Sequence, residues 1–246
     1  AVITNGVVID EVAHVLDASR RRHTSDLSND SKRTMIIVVL ALMPALLFGM
    51  YNVGYQRYLS IGQPPVFLTA FLYGFLALLP KIITSYAVGL GIEFASAQIR
   101  KHEIQEGFLV SGILIPMICP IETPIWMIAV ATAFSVIFVK EVFGGTGMNI
   151  FNVALMTRAF LFFAYPSKMS GDDVFVANHS ICGLGNGTVV SSFSGATPLG
   201  QIAINAGNSL HLTGITGGDI SLWDMFLGLI SGSVGETSTL FIILGG

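Results

Sequence analysis

Val66-Phe67-Leu68-Thr69-Ala70-Phe71-Leu72-Tyr73-Gly74-Phe75-Leu76-Ala77-Leu78-Leu79-Pro80-Lys81-Ile82-Ile83-Thr84-Ser85-Tyr86-Ala87-Val88-Gly89-Leu90-Gly91 is the stretch that decides the class of this chain. It holds a single charge, Lys81, in an apolar run longer than the about 20 residues that cross a bilayer as a helix. Working outward, residues 34–51 form a first span, which Pro44 should kink. Residues 107–120 and 124–139 read as a third and a fourth span, separated by Ile121-Glu122-Thr123. Residues 148–165, containing Asn149, Asn152 and Arg158, read as a fifth. A long polar and Gly-rich loop, 166–220, follows. The apolar stretch 221–232 is only half a span long, which points to a broken or re-entrant segment.

The expected fold is therefore all-α, a polytopic membrane helical bundle. It divides into a polar tail (1–33), five spans (34–165), a loop (166–220) and the start of a second apolar half (221–246). Composition agrees: 52% of residues are hydrophobic and 11% charged, against about 25% charged in soluble domains. A net charge of -3 with no long basic tract speaks against nucleic-acid binding. Cys119 lies in an apolar run and Cys182 in a Gly-rich loop, so no disulfide is expected. Two thiols also fall short of an iron–sulfur ligand set without another chain. No signal peptide opens the sequence, no Met begins it, and the apolar run from Ser238 stops after a few residues. A fragment of a longer protein is the expectation.

Charge placement gives the orientation. With the N-terminus cytoplasmic, Arg20, Arg21, Arg22, Lys32, Arg33, Arg100, Lys101 and Lys140 fall on the inner side. Arg57 and Lys168 fall outside, while Lys81 and Arg158 lie within spans. This bias obeys the positive-inside rule and places the loop 166–220 outside. An internal echo is also visible. Leu114-Ile115 precedes Glu122-Thr123 much as Leu229-Ile230 precedes Glu236-Thr237, a pattern that inverted repeats with broken helices produce.

Several residues could carry chemistry. In Lys140-Glu141-Val142-Phe143-Gly144-Gly145-Thr146-Gly147-Met148-Asn149, the glycines leave room for a ligand to approach the backbone. Free amides at the following helix start could then face an anion or a carbonyl; close helix packing is the plainer reading of the same glycines. Arg158, mid-span, needs a partner such as Glu141, Glu236 or a ligand phosphate, because a lone charge there costs at least about 2.5–3.5 kcal/mol. Glu122 and Glu236 interrupt short apolar segments and either coordinate a cation or reach an interface. In Ser194-Gly195-Ala196-Thr197, the small residues clear space beside the Thr197 hydroxyl. No adjoining base activates it, so attachment of a phosphate ester there needs a separate transferase.

In this order the segments resemble the B-subunit family of the sodium-translocating NADH:quinone oxidoreductases. The resemblance runs through Arg100-Lys101-His102-Glu103, Glu106-Gly107-Phe108-Leu109-Val110, the 140–149 block, Arg158-Ala159-Phe160-Leu161-Phe162-Phe163-Ala164-Tyr165-Pro166, Ser194 to Thr197 and Gly235-Glu236-Thr237-Ser238. The D subunit of the Rnf electron-transport complex shares the Ser-Gly-Ala-Thr element and the Gly-rich block. The resemblance implies covalent FMN as a phosphoester on Thr197, with Ser194, Gly195 and Ala196 recognised by a flavin transferase. The acidic residue often found three positions before the serine is replaced here by Ser191. It further implies riboflavin, ubiquinone as substrate, and Gly144-Gly145 with Arg158 in the quinone or flavin vicinity. Implied too are a urea-transporter-like fold of two inverted halves and partner subunits in a bacterial inner-membrane complex; separately, the two echoing segments offer Glu122 and Glu236 as an ion path where their carboxylates come together near the membrane midplane. A ferredoxin-linked Rnf subunit and a non-redox channel of the same fold are the alternatives.

Overall fold

The computed structural model describes residues 33–100, 107–145, 148–170, 174–190, 195–204 and 212–245. Two long apolar helices dominate, α1 (Arg33–Ser60) and α2 (Phe67–Arg100). Neither Pro44 in α1 nor Pro80 in α2 ends its helix, and Thr84 Oγ1 donates to Pro80 O at 2.7 Å. Residues 33–38 belong to a first unit, in which Ile36 and Ile37 are exposed. From Val39 onward it forms a second unit. There α1 and α2 pack antiparallel at very close range. A Cβ on Gly74 would overlap the carbonyl of Met50, and one on Gly54 would overlap that of Ala70. Small residues that let backbones touch are the usual contact between membrane helices.

The next two apolar segments form a hairpin. α3 (Phe108–Ile118) starts beside α2, with Phe108 packed on Gly89 and Tyr86 OH donating to Leu109 O at 2.5 Å. It runs antiparallel to α2 until Lys81, whose Nζ donates to Pro120 O at 3.1 Å and also to Ile121 O. α4 (Ile125–Ser135) follows the interruption and continues as a π-helical stretch, Val136–Glu141. That stretch returns to where the hairpin began: Lys140 pairs with Glu93, and its Nζ lies 6.0 Å from the Phe108 ring centre. The apolar segments expected at 107–120 and 124–139 thus lie antiparallel, and the second runs on through the π-helical stretch.

α5 (Val153–Ala164) begins at Asn152, whose side chain accepts from the Ala154 and Leu155 amides. It packs antiparallel on α4 through Phe134 and Phe160, stacked at 4.5 Å, and Trp126 and Tyr165, edge-on at 5.6 Å. Short helices follow: α6 (Pro166–Met169), α7 (Pro198–Ile204), α8 (Leu222–Leu227) and α9 (Thr239–Gly245). A capping box between Ser221 and Asp224 opens α8, which satisfies two otherwise orphaned donors. α9 lies along α1, with Phe241 stacked on Phe48 at 4.6 Å and Gly245 against Ala41.

Between α8 and α9 the backbone is again interrupted, and this interruption meets the first. Gly235 N donates to Met117 O at 2.9 Å, and Asn52 Nδ2 donates to Ile230 O at 2.9 Å. Around this interior the surface is apolar, with Phe67, Phe163, Leu222 and Trp223 all exposed. Only 22% and 28% of the most apolar windows of α1 and α2 are buried. Core helices of a soluble protein would be mostly covered, and apolar surface on this scale marks contact with lipid or partner helices.

Lys81→Met should take the Lys81 donor from Ile121 O and leave Pro120 O only the Thr123 amide at 3.3 Å, at about 1–3 kcal/mol for a group left unpaired. The expected outcome is a clear drop in the melting temperature of the detergent-solubilised protein. An unchanged melting temperature would show that the interruption is held by other contacts.

Candidate functional site

The segment around Thr197 is built from the outside of the helices inward. Residues 174–190 are tied to the ends of α1 and α2 that face the connection 61–66. Arg57 Nε and Nη2 donate to Gly185 O at 3.2 and 2.9 Å, Tyr73 OH donates to His179 O, and Val190 N donates to Ser60 O at 2.9 Å. Gly185 N also donates to Tyr58 OH at 3.3 Å. Arg57 was expected in an outer connection. It lies instead inside α1, buried, because the helix runs on to Ser60 and the loop carbonyls supply acceptors for its guanidinium.

Beyond that loop, Thr197 stands immediately before α7, whose first residue is Pro198. Proline is favoured at a first helical position because it gives up no needed N–H. Thr197 Oγ1 accepts from Gly200 N at 3.1 Å, and Thr197 O accepts from Gln201 N at 3.0 Å. The Thr197 side chain is half-buried, whereas Gly195 and Ala196 are buried. Gln201 fastens the segment. Its Nε2 donates to Ala196 O at 3.2 Å and to Thr213 O at 2.7 Å, and its Oε1 accepts from Thr213 N at 2.8 Å. Thr213 belongs to a tight turn closed by Ile220 N donating to Leu212 O at 2.8 Å. Ser194 and Ser191 lie outside the described residues.

These residues fit a phosphate ester on Thr197. The hydroxyl is partly open, and the missing side chain of Gly200 keeps it so: a Cβ there would come within 3.2 Å of Thr197 Oγ1. The same oxygen keeps a lone pair for Gly200 N–H after esterification, so attachment need not undo the start of α7.

The other sequence candidates separate. Gly144 and Gly145 have φ of 110° and 100°, a backbone region that side chains with a Cβ rarely enter. Their amides donate to Glu141 O at 3.2 Å and Lys140 O at 3.0 Å. Among the described residues, the turn thus uses the Gly144 and Gly145 amides itself, and Asn152 takes two of those at the start of α5. The glycines here end the π-helical stretch, and Thr146 and Gly147 lie outside the described residues. Arg158 Nη1 pairs with Glu236 Oε1 at 2.8 Å, and Ser233 Oγ also donates to Glu236. Glu122 accepts from Asn178 N at 2.7 Å and lies 3.6 Å from His179 Nδ1. The echoing segments therefore meet through Met117 and Gly235, while their two glutamates hold different partners. Among the described residues, no group of three His, Cys, Asp or Glu side chains could hold a metal ion.

Glu93 and Gln201 escaped the sequence reading. Glu93 left a signal, being an acidic residue on the same helical face as Lys81, reached by steps of four. Gln201 left none.

Interrupted helices that meet inside an apolar-surfaced, all-helical chain, with a tethered loop at one end, define an integral membrane protein. The chain belongs to the NQR2, RnfD, RnfE family, which it matches over residues 19–246. It is 40% identical over 268 residues to the B subunit of the Na(+)-translocating NADH-quinone reductase of Neisseria meningitidis serogroup A / serotype 4A (strain DSM 15465 / Z2491), covering 99% of this chain and 60% of that protein. The like-named protein of Pseudomonas aeruginosa (strain LESB58) is 41% identical over 264 residues, covering 98% and 59%. That of Yersinia pestis is 39% identical over 272 residues, covering 99% and 60%. The chain thus spans about 60% of the length of the curated relatives it matches.

Gln201→Ala removes the bonds to Ala196 and Thr213, each worth about 1 kcal/mol net. Limited proteolysis should cut faster between residues 195 and 213, with little change in global melting. Cutting at the wild-type rate would show that Gln201 does not fasten this segment.

Proposed function

We propose that the chain is part of a membrane electron-transfer subunit of a sodium-pumping NADH:quinone oxidoreductase. In this reading it carries FMN in phosphoester linkage on Thr197 and works with riboflavin to pass electrons to ubiquinone. The observation that carries the reading is the partly open Thr197 hydroxyl, kept clear by Gly200 in a segment that Gln201 fastens. The similarity of about 40% to the B subunits of quinone reductases supports it, and favours the quinone over the ferredoxin-linked reading. Flavin chemistry supplies the redox step; the protein supplies placement and electrostatics.

The topology that accompanies this function has a cytoplasmic N-terminus in a bacterial inner membrane, with the Thr197 loop outside. The excess of basic residues on the inner side supports this orientation. The two interruptions are proposed as counterparts in inverted halves of a urea-transporter-like fold. Glu122 and Glu236, which anchor them, are assigned to the ion path, and Gly144, Gly145 and Arg158 to the flavin or quinone vicinity. Partner subunits deliver the electrons, and a flavin transferase, acting outside the cytoplasm on Ser194 to Thr197, loads the site.

The test is co-expression of the full-length protein with its flavin transferase, followed by in-gel flavin fluorescence under denaturing conditions. Thr197→Ala should abolish the fluorescent band and Thr197→Ser should keep one. Gly200→Val, which crowds the acceptor oxygen, should weaken the band several-fold at equal protein. A full band from Thr197→Ala would refute the attachment site.

A further inference from the structure

Two separately closed pieces of chain meet beside Thr197. The first is 195–197 with α7, closed by Gln201 N donating to Thr197 O and Gly200 N donating to Thr197 Oγ1. The second is the turn 212–220, closed by Gly214 N donating to Gly218 O at 2.7 Å and Ile220 N to Leu212 O at 2.8 Å. The Gln201 side chain joins them. Its Nε2 donates to both Ala196 O and Thr213 O, which therefore lie within two hydrogen-bond lengths of each other, and its Oε1 accepts from Thr213 N.

This junction covers what a modifying enzyme has to reach. Gln201 is 7% and Ala196 8% exposed, Gly195 is buried, and Thr197 is half-buried. The outer side of α7 is bare: Leu199 is 76% exposed, and Ile202 and Ala203 are exposed too. A segment that buries little apolar surface opens locally at far less cost than the whole protein. Hydrogen bonds are a modest tie as well, since water replaces them on opening.

Loading Thr197 is a group transfer at phosphorus. The donor holds FMN as an anhydride, as a flavin dinucleotide does with AMP. Thr197 Oγ1 forms the new bond to the FMN phosphorus, the bond from that phosphorus to AMP breaks, and AMP leaves with the electron pair. The hydroxyl proton passes to a base on the transferase, and nothing is oxidised or reduced. Because no base adjoins the hydroxyl within the chain, a foreign base and a phosphorus must reach one half-buried oxygen together. Beside that oxygen, Gly195 and Ala196 are covered and cannot be read by another protein's surface.

We propose that Gln201 latches the loading site: the transferase acts while the Gln201 bonds to Ala196 and Thr213 are broken and the start of α7 is intact, and the latch closes once the ester has formed. Gly200 stays beside Thr197 Oγ1 in both forms, so crowding at that position hinders loading throughout. The latch rests on flavin attachment at Thr197 and adds its timing. A chain that has latched before it meets the transferase loads slowly.

The test uses the full-length protein, made in cells without the transferase and purified free of flavin. Purified transferase and FAD are then added, and loading is followed by flavin fluorescence in denaturing gels. Gln201→Ala should load several-fold faster than wild type and reach the same end point, at an unchanged melting temperature. Gln201→Glu keeps an acceptor for Thr213 N but loses both donated bonds, so it should also load faster. Loading of both variants at or below the wild-type rate overturns the latch while leaving the attachment site standing. A wild-type protein that takes up no flavin, or a full band from Thr197→Ala, refutes attachment at Thr197 and the latch with it.

Discussion

Unwound backbone inside an apolar surround must find hydrogen-bond partners within the protein, since lipid offers none. That constraint governs the arrangement of this chain. At the interruption after α3, the exposed carbonyls of Pro120 and Ile121 are met by Lys81 from α2. At the interruption after α8, Ile230 O is met by Asn52 from α1, itself bonded by Gln56. The two interruptions then bond each other through Gly235 and Met117. A cation at the carbonyl end of a helix also sits favourably in the helix dipole, which explains why a lysine is tolerated in the most apolar stretch of the sequence. α1 and α2 are long because they serve as the frame from which both breaks are held.

The consequence for function is a separation of ends. At one end, Glu93, Lys140 and the Gly144-Gly145 turn close the hairpin of α3 and α4. At the other, Arg57, Tyr58, Ser60 and Tyr73 tie down the loop that leads on to Thr197. The loop that leads on to Thr197 is thus held at the end of α1 and α2 away from the Glu93–Lys140 pair.

Much of this was legible in the sequence. The run from Val66 to Gly91 announces a membrane helix, and Pro120 and Pro124 announce a break between apolar segments. α2 nevertheless extends to Arg100, since Glu93 to Arg100 is made largely of good helix formers, which hydropathy alone undervalues. The contact that holds the break was not legible, because it depends on Lys81 meeting residues about forty positions away in sequence. Arg158 was read as needing a partner, and Glu236, one of those considered, is the one it takes. Thr197 became meaningful through resemblance rather than through spacing. The roles of Gly200 and Gln201 beside it emerge only when the loop is seen folded.

The side of the membrane on which the Thr197 loop lies decides the proposed function, and the chain carries its own probe. Cys182 is exposed in the loop tied to α1 and α2, whereas Cys119 is buried. A membrane-impermeant maleimide applied to intact spheroplasts should label the full-length protein at Cys182 without permeabilisation. Labelling at Cys182 only after the membrane is opened would place the loop in the cytoplasm and contradict the proposed function.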